Sequence, residues 1–405
     1  MLSQDTQETL TRVGPGTPMG EVLRRYWYPV AAASELGNDA VRRVRLLGED
    51  LVLFRDQAGR LGLIATRCPH RGTSLGYGYV DGDGLRCPYH GWQFDVDGRC
   101  IDIPGTAKET IRERVCVPAY QAQSLGGLVF AYIGPAPAPL LPRYDLYVWD
   151  GVLRDIGHAT LPCNWLQIME NSVDPVHLEW LHGEYASRLA GDGTAPNAYR
   201  RRHERIGFDR FEHGIIKRRV LEGGTEQDED WRIGHPLVFP VTLRVGTRGQ
   251  YGFQIRVPID DTTTWHLWYW CLRPPEGSPV PVQHSIPFYE IPWRDADGEY
   301  RLDFIAGQDI MAWVTQGEIA DRTQEQLVGT DRGLVMLRRL LLEQIDRVSS
   351  GLDPIGVIRD PACNEMIPLP QEENKYGDAN AFRAAALRHG HLQFSPQRER
   401  ICAMF

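Results

Sequence analysis

The chain has 405 residues, 42% of them hydrophobic and 24% charged, the make-up of an ordinary globular protein and long enough for two domains. A net charge of −9 gives no general attraction for nucleic acid or anionic lipid, which argues against a binder of either. No apolar run approaches the roughly 20 residues that span a bilayer, and the opening MLSQDTQETLTRVGPGTPMG lacks the basic and apolar stretches of a secretory signal, so a cytoplasmic protein is expected.

Residues 4–35 read as short helix and loop, interrupted at Pro15, Gly16 and Pro18. From Arg42 the pattern becomes short alternating strands, with turns expected at Gly48-Glu49-Asp50, at Gln57-Ala58-Gly59 and at Asp97-Gly98, ending in GGLVFAYIG. Inside this stretch Cys68-Pro69-His70 is followed, after 16 residues, by Cys87-Pro88-Tyr89-His90. Two thiolates and two imidazoles could hold a tetrahedral zinc, or a [2Fe–2S] cluster with Cys on one iron and His on the other. Zinc sites usually open on a pair of Cys, whereas each loop here offers one Cys and one His. That mixed pairing suits a cluster whose two irons take different ligands, and imidazole in place of thiolate raises its potential. The other cysteines, at 100, 116, 163, 271, 363 and 402, have no partner at ligand spacing and are expected to be buried small hydrophobes.

PAPAPLLPRY, residues 135–144, is the best domain boundary. After it, 145–163 reads as strand, 164–182 as helix and 203–275 as strands, and the last third is helical, clearest in GLVMLRRLLLEQIDRV. The expected architecture is α+β: an N-terminal segment 1–38 lying on the larger domain, a small all-β domain over 39–137, and a helix-flanked antiparallel-sheet domain over 145–405. The segment NWLQIMENSVDPVHLEWLH contains Asp174, His177 and His182. Histidines five apart stand about 140° apart on an ideal helix, so a shared metal requires a bend or unwound turn, for which Pro175 and Gly183 are available. Asp174 could cap a helix that starts at Pro175, support ligation, or do both. Two imidazoles and a carboxylate on one face of Fe(II) leave positions open for O₂. The acidic candidates downstream are Asp303, Asp309, Glu318 and Asp321, with Asp321-Arg322 read as an ion pair.

CPHRG…CPYHGW resembles the Rieske cluster-binding signature of ring-hydroxylating oxygenases, and the likeness runs from RVGPGTPMGEVLRRYW to about Leu341. The second motif of that family is matched at Asn164, Trp165, Glu170, Asn171, Asp174, His177 and His182. The resemblance implies Cys68 and Cys87 on one cluster iron, His70 and His90 on the other, and His177 and His182 on a mononuclear Fe(II). In the phthalate dioxygenase-like branch the third ligand sits seven residues before a glutamine, which matches Asp309 and Gln316. Asp174 and Asn171 are implied as catalytic neighbours of that iron, Asp174 bridging a cluster histidine to an iron-ligand histidine. The branch implies a terminal oxygenase that hydroxylates, dioxygenates or O-demethylates an aromatic, carboxylated substrate with O₂. It also implies a homotrimer (or dimer of trimers) fed by a separate FMN- and NADH-using reductase of the plant-type ferredoxin kind. This chain has neither a second Cys₄ set nor a dinucleotide fingerprint of its own. A Rieske electron carrier is the alternative, but it would need residues only to about 135. By resemblance Lys217, Arg218, Arg219 and Arg256 lie in the strands that line the pocket, and a guanidinium there could clamp a carboxylate. They could equally sit on a solvent face, and Arg218 and Arg219, being adjacent in a strand, cannot both face inward. Trp265, Trp268, Tyr269 and Trp270 either wall the site or fill the sheet core.

Overall fold

The computed structural model describes residues 1–37, 40–105, 109–191 and 197–405; the boundary expected between residues 38 and 39 lies outside the described residues. The strand-rich part forms a six-stranded antiparallel sheet and a four-stranded sheet spanning Tyr79–Asp81 to Cys100–Asp102. The six-stranded sheet includes Tyr28–Ala32, which pairs with Leu128–Tyr132. The N-terminal segment therefore supplies a strand, where only helix and loop were expected.

The first hairpin turns one residue earlier than expected. Leu46 pairs with Glu49, so Leu47-Gly48 is the turn and Glu49-Asp50 begin the return strand. Both turn residues have positive φ, +49° at Leu47 and +80° at Gly48, the two-residue geometry that follows the strand twist. Leucine is an uncommon choice there, and its environment explains it. Leu47 is fully buried, and the Leu47 and Gly48 N–H groups donate to the carbonyls of Pro258 and Ile259 at 3.0 and 2.8 Å. The hairpin tip is thus docked on the larger sheet.

That larger sheet has eight strands, ordered 203–211, 214–221, 235–238, 242–247, 250–258, 264–272, 153–161 and 288–290. All pairings are antiparallel except the last. Both faces are covered. Leu267, Tyr269 and Cys271 point to a core shared with Trp165, Leu166 and Met169, while Trp268, Trp270 and Leu272 point to one shared with Ile310 and Trp313. The period-two alternation of the strand makes this division, so the aromatic run serves both purposes weighed for it. Helices Gln4–Thr11 and Pro18–Leu23, capped by Ser3 and Thr17, lie against helix Arg332–Ser349.

Two element expectations need correction. Residues 145–163 open with a short helix, Asp145–Val148, and the strand is only Leu153–Leu161. Of the six cysteines expected to be buried, Cys100, Cys163 and Cys271 are; Cys116, Cys363 and Cys402 are exposed, Cys116 on an isolated bridge to Arg99 and the other two at the last residues of the short helices Pro361–Cys363 and Arg398–Cys402.

Candidate metal centres and the cavity beside them

The two Cys/His loops are built alike. Cys68 O accepts from Gly72 N–H at 2.8 Å and Cys87 O from Gly91 N–H at 3.0 Å. Both glycines have φ of +75°, the left-handed conformation that only glycine adopts without strain. Each loop thereby sinks its cysteine and exposes its histidine. The His70 and His90 rings are 4.5 Å apart between centroids, and Trp92 stacks on His70 at 4.6 Å. Burial pushes the Cys68 thiol up to about 11, and the neighbouring Cys87 adds to this. The backbone N–H groups of His70 and Arg71 act in the opposite direction. Backbone N–H groups aimed at sulfur are what an iron–sulfur site requires, so the donor set fits a cluster with buried thiolates and outward imidazoles.

The second set is more compact. The ligand atoms of His177, His182 and Asp309 lie within 4.8 Å of one another, and no other such group occurs among the described residues. Helix Trp165–Ser172 ends and Asp174 starts the next, its Oδ1 accepting from Val176 N–H at 2.8 Å. The chain bends at Pro175, ahead of both histidines; between them it widens into a π-helix over Leu178–Tyr185. Bonding each residue to the fifth along brings residues five apart toward one face, and the two imidazole rings come to 5.4 Å. Gly183 allows the segment behind to approach, since a Cβ there would lie 2.6 Å from the Tyr199 carbonyl oxygen.

Asp309 comes from helix Ile305–Val314. Its Oδ1 is 3.1 Å from His182 Nε2 and 3.9 Å from His177 Nε2. The opposite ring nitrogens have their own neighbours. His182 Nδ1 meets Gln308 Oε1 at 2.9 Å, and His177 Nδ1 lies 3.4 Å from Asp174 Oδ2, close but not aligned as a hydrogen bond. Burial raises the Asp174 carboxyl, but His177 and the Val176 N–H outweigh it and hold it at about 2. Asp309 is likewise held below the ordinary range against the effect of burial, by His182 and His177. Two imidazoles turned to one carboxylate, each braced from behind, suit a divalent iron with open positions. Gln308 was not singled out from the sequence, although it directly precedes Asp309.

The other acids lie elsewhere. Asp303 pairs with Arg301 at 2.7 Å, Glu318 is exposed, and Asp321 accepts from Thr323 N–H at 2.9 Å. The expected Asp321–Arg322 pair is not formed. Arg322 turns inward to Glu170 at 2.7 Å, where Arg338 also bonds, because buried Glu170 needs the charge more than exposed Asp321 does. This pair of arginines fixes the helix that carries Asn171.

His177, His182, Asp309 and Asn171 open onto a cavity walled by Trp268, Trp270, Tyr199 and Phe382 among others. The three arginines proposed for substrate fall differently around it. Arg218 points outward, bonded to Asp209 at 2.5 Å and to the carbonyls of Trp231 and Arg232. Arg219 faces inward but is bonded to Asp230 at 2.9 Å. Arg256 is fully buried and bonded to Gln254, outside the cavity wall. One of the adjacent pair does face in and the other out, as strand geometry requires.

A cluster-type β domain joined to a sheet domain with a two-histidine, one-carboxylate centre defines an iron-dependent oxygenase of two metal sites. Residues 26–121 match the Rieske [2Fe-2S] domain, and residues 296–369 match the LigXa C-terminal domain like family. The chain is 44% identical to the 5,5'-dehydrodivanillate O-demethylase oxygenase subunit of Sphingobium sp. (strain NBRC 103272 / SYK-6), over 91% of this chain and 87% of that one. It is 47% identical to the tert-butanol monooxygenase / tert-amyl alcohol desaturase oxygenase subunit of Aquincola tertiaricarbonis, over 97% and 89%. The terminal oxygenase of carbazole 1,9a-dioxygenase from Novosphingobium sp. KA1 shares the fold, with a TM-score of 0.60 at 20% identity over 83% and 97%. The chain belongs to the Rieske non-haem iron oxygenases, in their phthalate dioxygenase-like branch. It is the oxygenase subunit of a multicomponent system, an oxidoreductase that uses O₂, and it carries a [2Fe–2S] cluster and a mononuclear iron. A bare electron carrier would leave the second metal set and more than half the chain without a role. Among the described residues no helix is long and apolar enough to cross a membrane.

Proposed function

We propose that this subunit oxygenates an aromatic acid, by hydroxylation, dioxygenation or O-demethylation, in the cavity beside His177, His182 and Asp309. The observation that carries this is the opening of the compact donor set into an aromatic-walled cavity. The 44%-identical relative, a demethylase of a dehydrodivanillate, supports an aromatic substrate. In this reading residues 39–137 hold the cluster through Cys68, Cys87, His70 and His90, and residues 145–405 hold the iron. When bound, the two metals supply stored electrons and O₂ activation. The protein's own residues do the rest. Gln308 and Asp174 orient the two imidazoles, Asn171 borders the reacting space, and Trp268 and Trp270 keep it dry.

Electrons come from a separate component, which we take to be an FMN- and NADH-dependent reductase of the plant-type ferredoxin kind; that donor puts the enzyme in the cytoplasm. We also propose a head-to-tail trimer. Its support is a pair of exposed apolar patches, Tyr77, Tyr79 and Tyr89 around the cluster loops and Trp180, Tyr185 and Leu189 on the helix that carries His182. The test is a panel of methoxylated and carboxylated aromatics, scored by substrate-dependent consumption of O₂ and NADH with a supplied reductase. No stimulation by any aromatic, in protein loaded with both metals, would overturn the reading.

A further inference from the structure

Strand Gly214–Leu221 places Lys217 and Arg219 on the same face, in the wall of the iron-site cavity, and Lys375 joins them. Two carboxylates answer these three cations. Asp230 bonds Arg219 at 2.9 Å, and Glu372 pairs with Lys375 at 2.7 Å and with Arg219 at 3.5 Å. All five residues are at most 4% exposed.

Lys217 has no share in this pairing. Its Nζ donates to the backbone carbonyl of Asp174 at 3.3 Å, and among the described residues it has no ion pair. The Asp174 carboxylate itself is turned to His177 and the Val176 N–H. The buried group is therefore one negative charge short, and an uncompensated buried cation is strongly unfavourable. Burial, with Arg219 and Lys375 adding to it, pushes the Lys217 ammonium down to about 7, against the opposing pull of the Asp174 and Glu372 carboxylates.

Two further groups open on the same space. His235 stands directly across the strand pair from Lys217, is buried, and has no partner for either ring nitrogen; Arg219 Nη1 is also unpartnered. Directly opposed cross-strand residues lie about 5 Å apart, and Lys217, His235 and Arg219 all line the one cavity beside the iron site. Buried polar atoms of this kind are normally satisfied.

We propose that Lys217, His235 and Arg219 form a subsite for an oxyanion carried by the aromatic substrate, either a carboxylate or an ionised phenol. This rests on the oxygenase reading of the cavity and assigns the residues that hold the negative charge of its substrate. The anchoring cation is then a lysine on the strand that bears the outward Arg218, with Arg219 held by its carboxylates as a supporting donor.

Equilibrium dialysis of the anaerobic holoenzyme tests this without turnover. One pair of probes is 3,4-dimethoxybenzoate and its methyl ester; the other is 4-nitroguaiacol, ionised at mildly alkaline pH, and its neutral methyl ether. At least one anion should bind about 10- to 100-fold more tightly than its neutral partner, and which one does so identifies the oxyanion. Lys217→Met should abolish that preference, Lys217→Arg should keep it, and His235→Leu should weaken the anion alone, each with the visible spectrum of the cluster intact. Equal binding of anion and neutral partner in both pairs by the wild type, or a preference that survives in Lys217→Met, overturns the subsite. Failure of the oxygenase reading shows separately, as absent O₂ consumption, and leaves the binding contrast legible.

Discussion

At the scale of single residues, two metal sites built from separate stretches of chain should fail separately. His177→Ala or His182→Ala is expected to remove the mononuclear iron and all turnover while the visible spectrum of the cluster persists. Cys87→Ser should bleach the protein. A soluble, folded His177→Ala that lost the cluster spectrum would contradict the assignment. Gln308 offers a finer test, because it acts only through His182 Nδ1 at 2.9 Å and is itself anchored by donating to the Leu302 carbonyl at 2.9 Å. Gln308→Leu should weaken iron retention or activity about 10- to 100-fold, the usual effect of losing a partner that braces a metal ligand. Iron per chain after dialysis against a chelator measures it, and unchanged retention and turnover would remove Gln308 from the site. The residue types at both centres were legible because ligand chemistry is local: a Cys-Pro-His and a Cys-Pro-Tyr-His carry their meaning in three and four residues. Charge partners are not local. Lys217 appears in the sequence as one of three adjacent cations, and nothing nearby tells that Asp230 and Glu372 are committed to Arg219 and Lys375, leaving Lys217 alone.

At the scale of elements, the determining feature is the π-helix over Leu178–Tyr185. The sequence states the problem, two histidines five apart, but not its solution. Apolar periodicity reports which face is buried and carries no mark of a change from fourth-neighbour to fifth-neighbour hydrogen bonding. The widened helix depends on room behind it, and Gly183 provides that room. A Cβ at this position would meet backbone of Tyr199 at 2.6 Å and of Arg200 at 3.1 Å, and backbone cannot swing aside as a flexible side chain does. Gly183→Ala should therefore displace the neighbour of His182, lowering iron content and turnover together while the cluster absorbance stays at wild-type strength. Full iron and full activity in Gly183→Ala would mean that the close approach is incidental. The Leu47-Gly48 hairpin makes the same point about legibility. Gly48 announces a turn, but the choice of Leu47 over Glu49 as its companion is made by contacts with Pro258 and Ile259, more than 200 residues away.

At the scale of the whole molecule, the question is which cluster serves which iron. The cluster loops expose their histidines at one surface, while Asp174, the residue implied as the bridge, lies partly open beside His177. A bridge between two surface-facing groups is most simply made by two copies of the chain in a head-to-tail contact, which closes into a ring when the rotation permits. Mixing two inactive variants decides the matter. Cys87→Ser keeps the iron and lacks the cluster; His177→Ala keeps the cluster and lacks the iron. Random co-assembly of equal amounts makes about three-quarters of trimers mixed, and each mixed ring has a single junction at which an intact cluster meets an intact iron. Substrate-dependent O₂ consumption should therefore return to about one quarter of the wild-type rate per chain. Asp174→Asn placed in the iron-bearing chain of the mixture should cancel that recovery with both metals still bound, because it removes the charge at the crossing and keeps the shape. Mixed trimers verified by differential tagging that remain inactive would show that electrons travel within one chain, and the head-to-tail ring would then lose its functional basis.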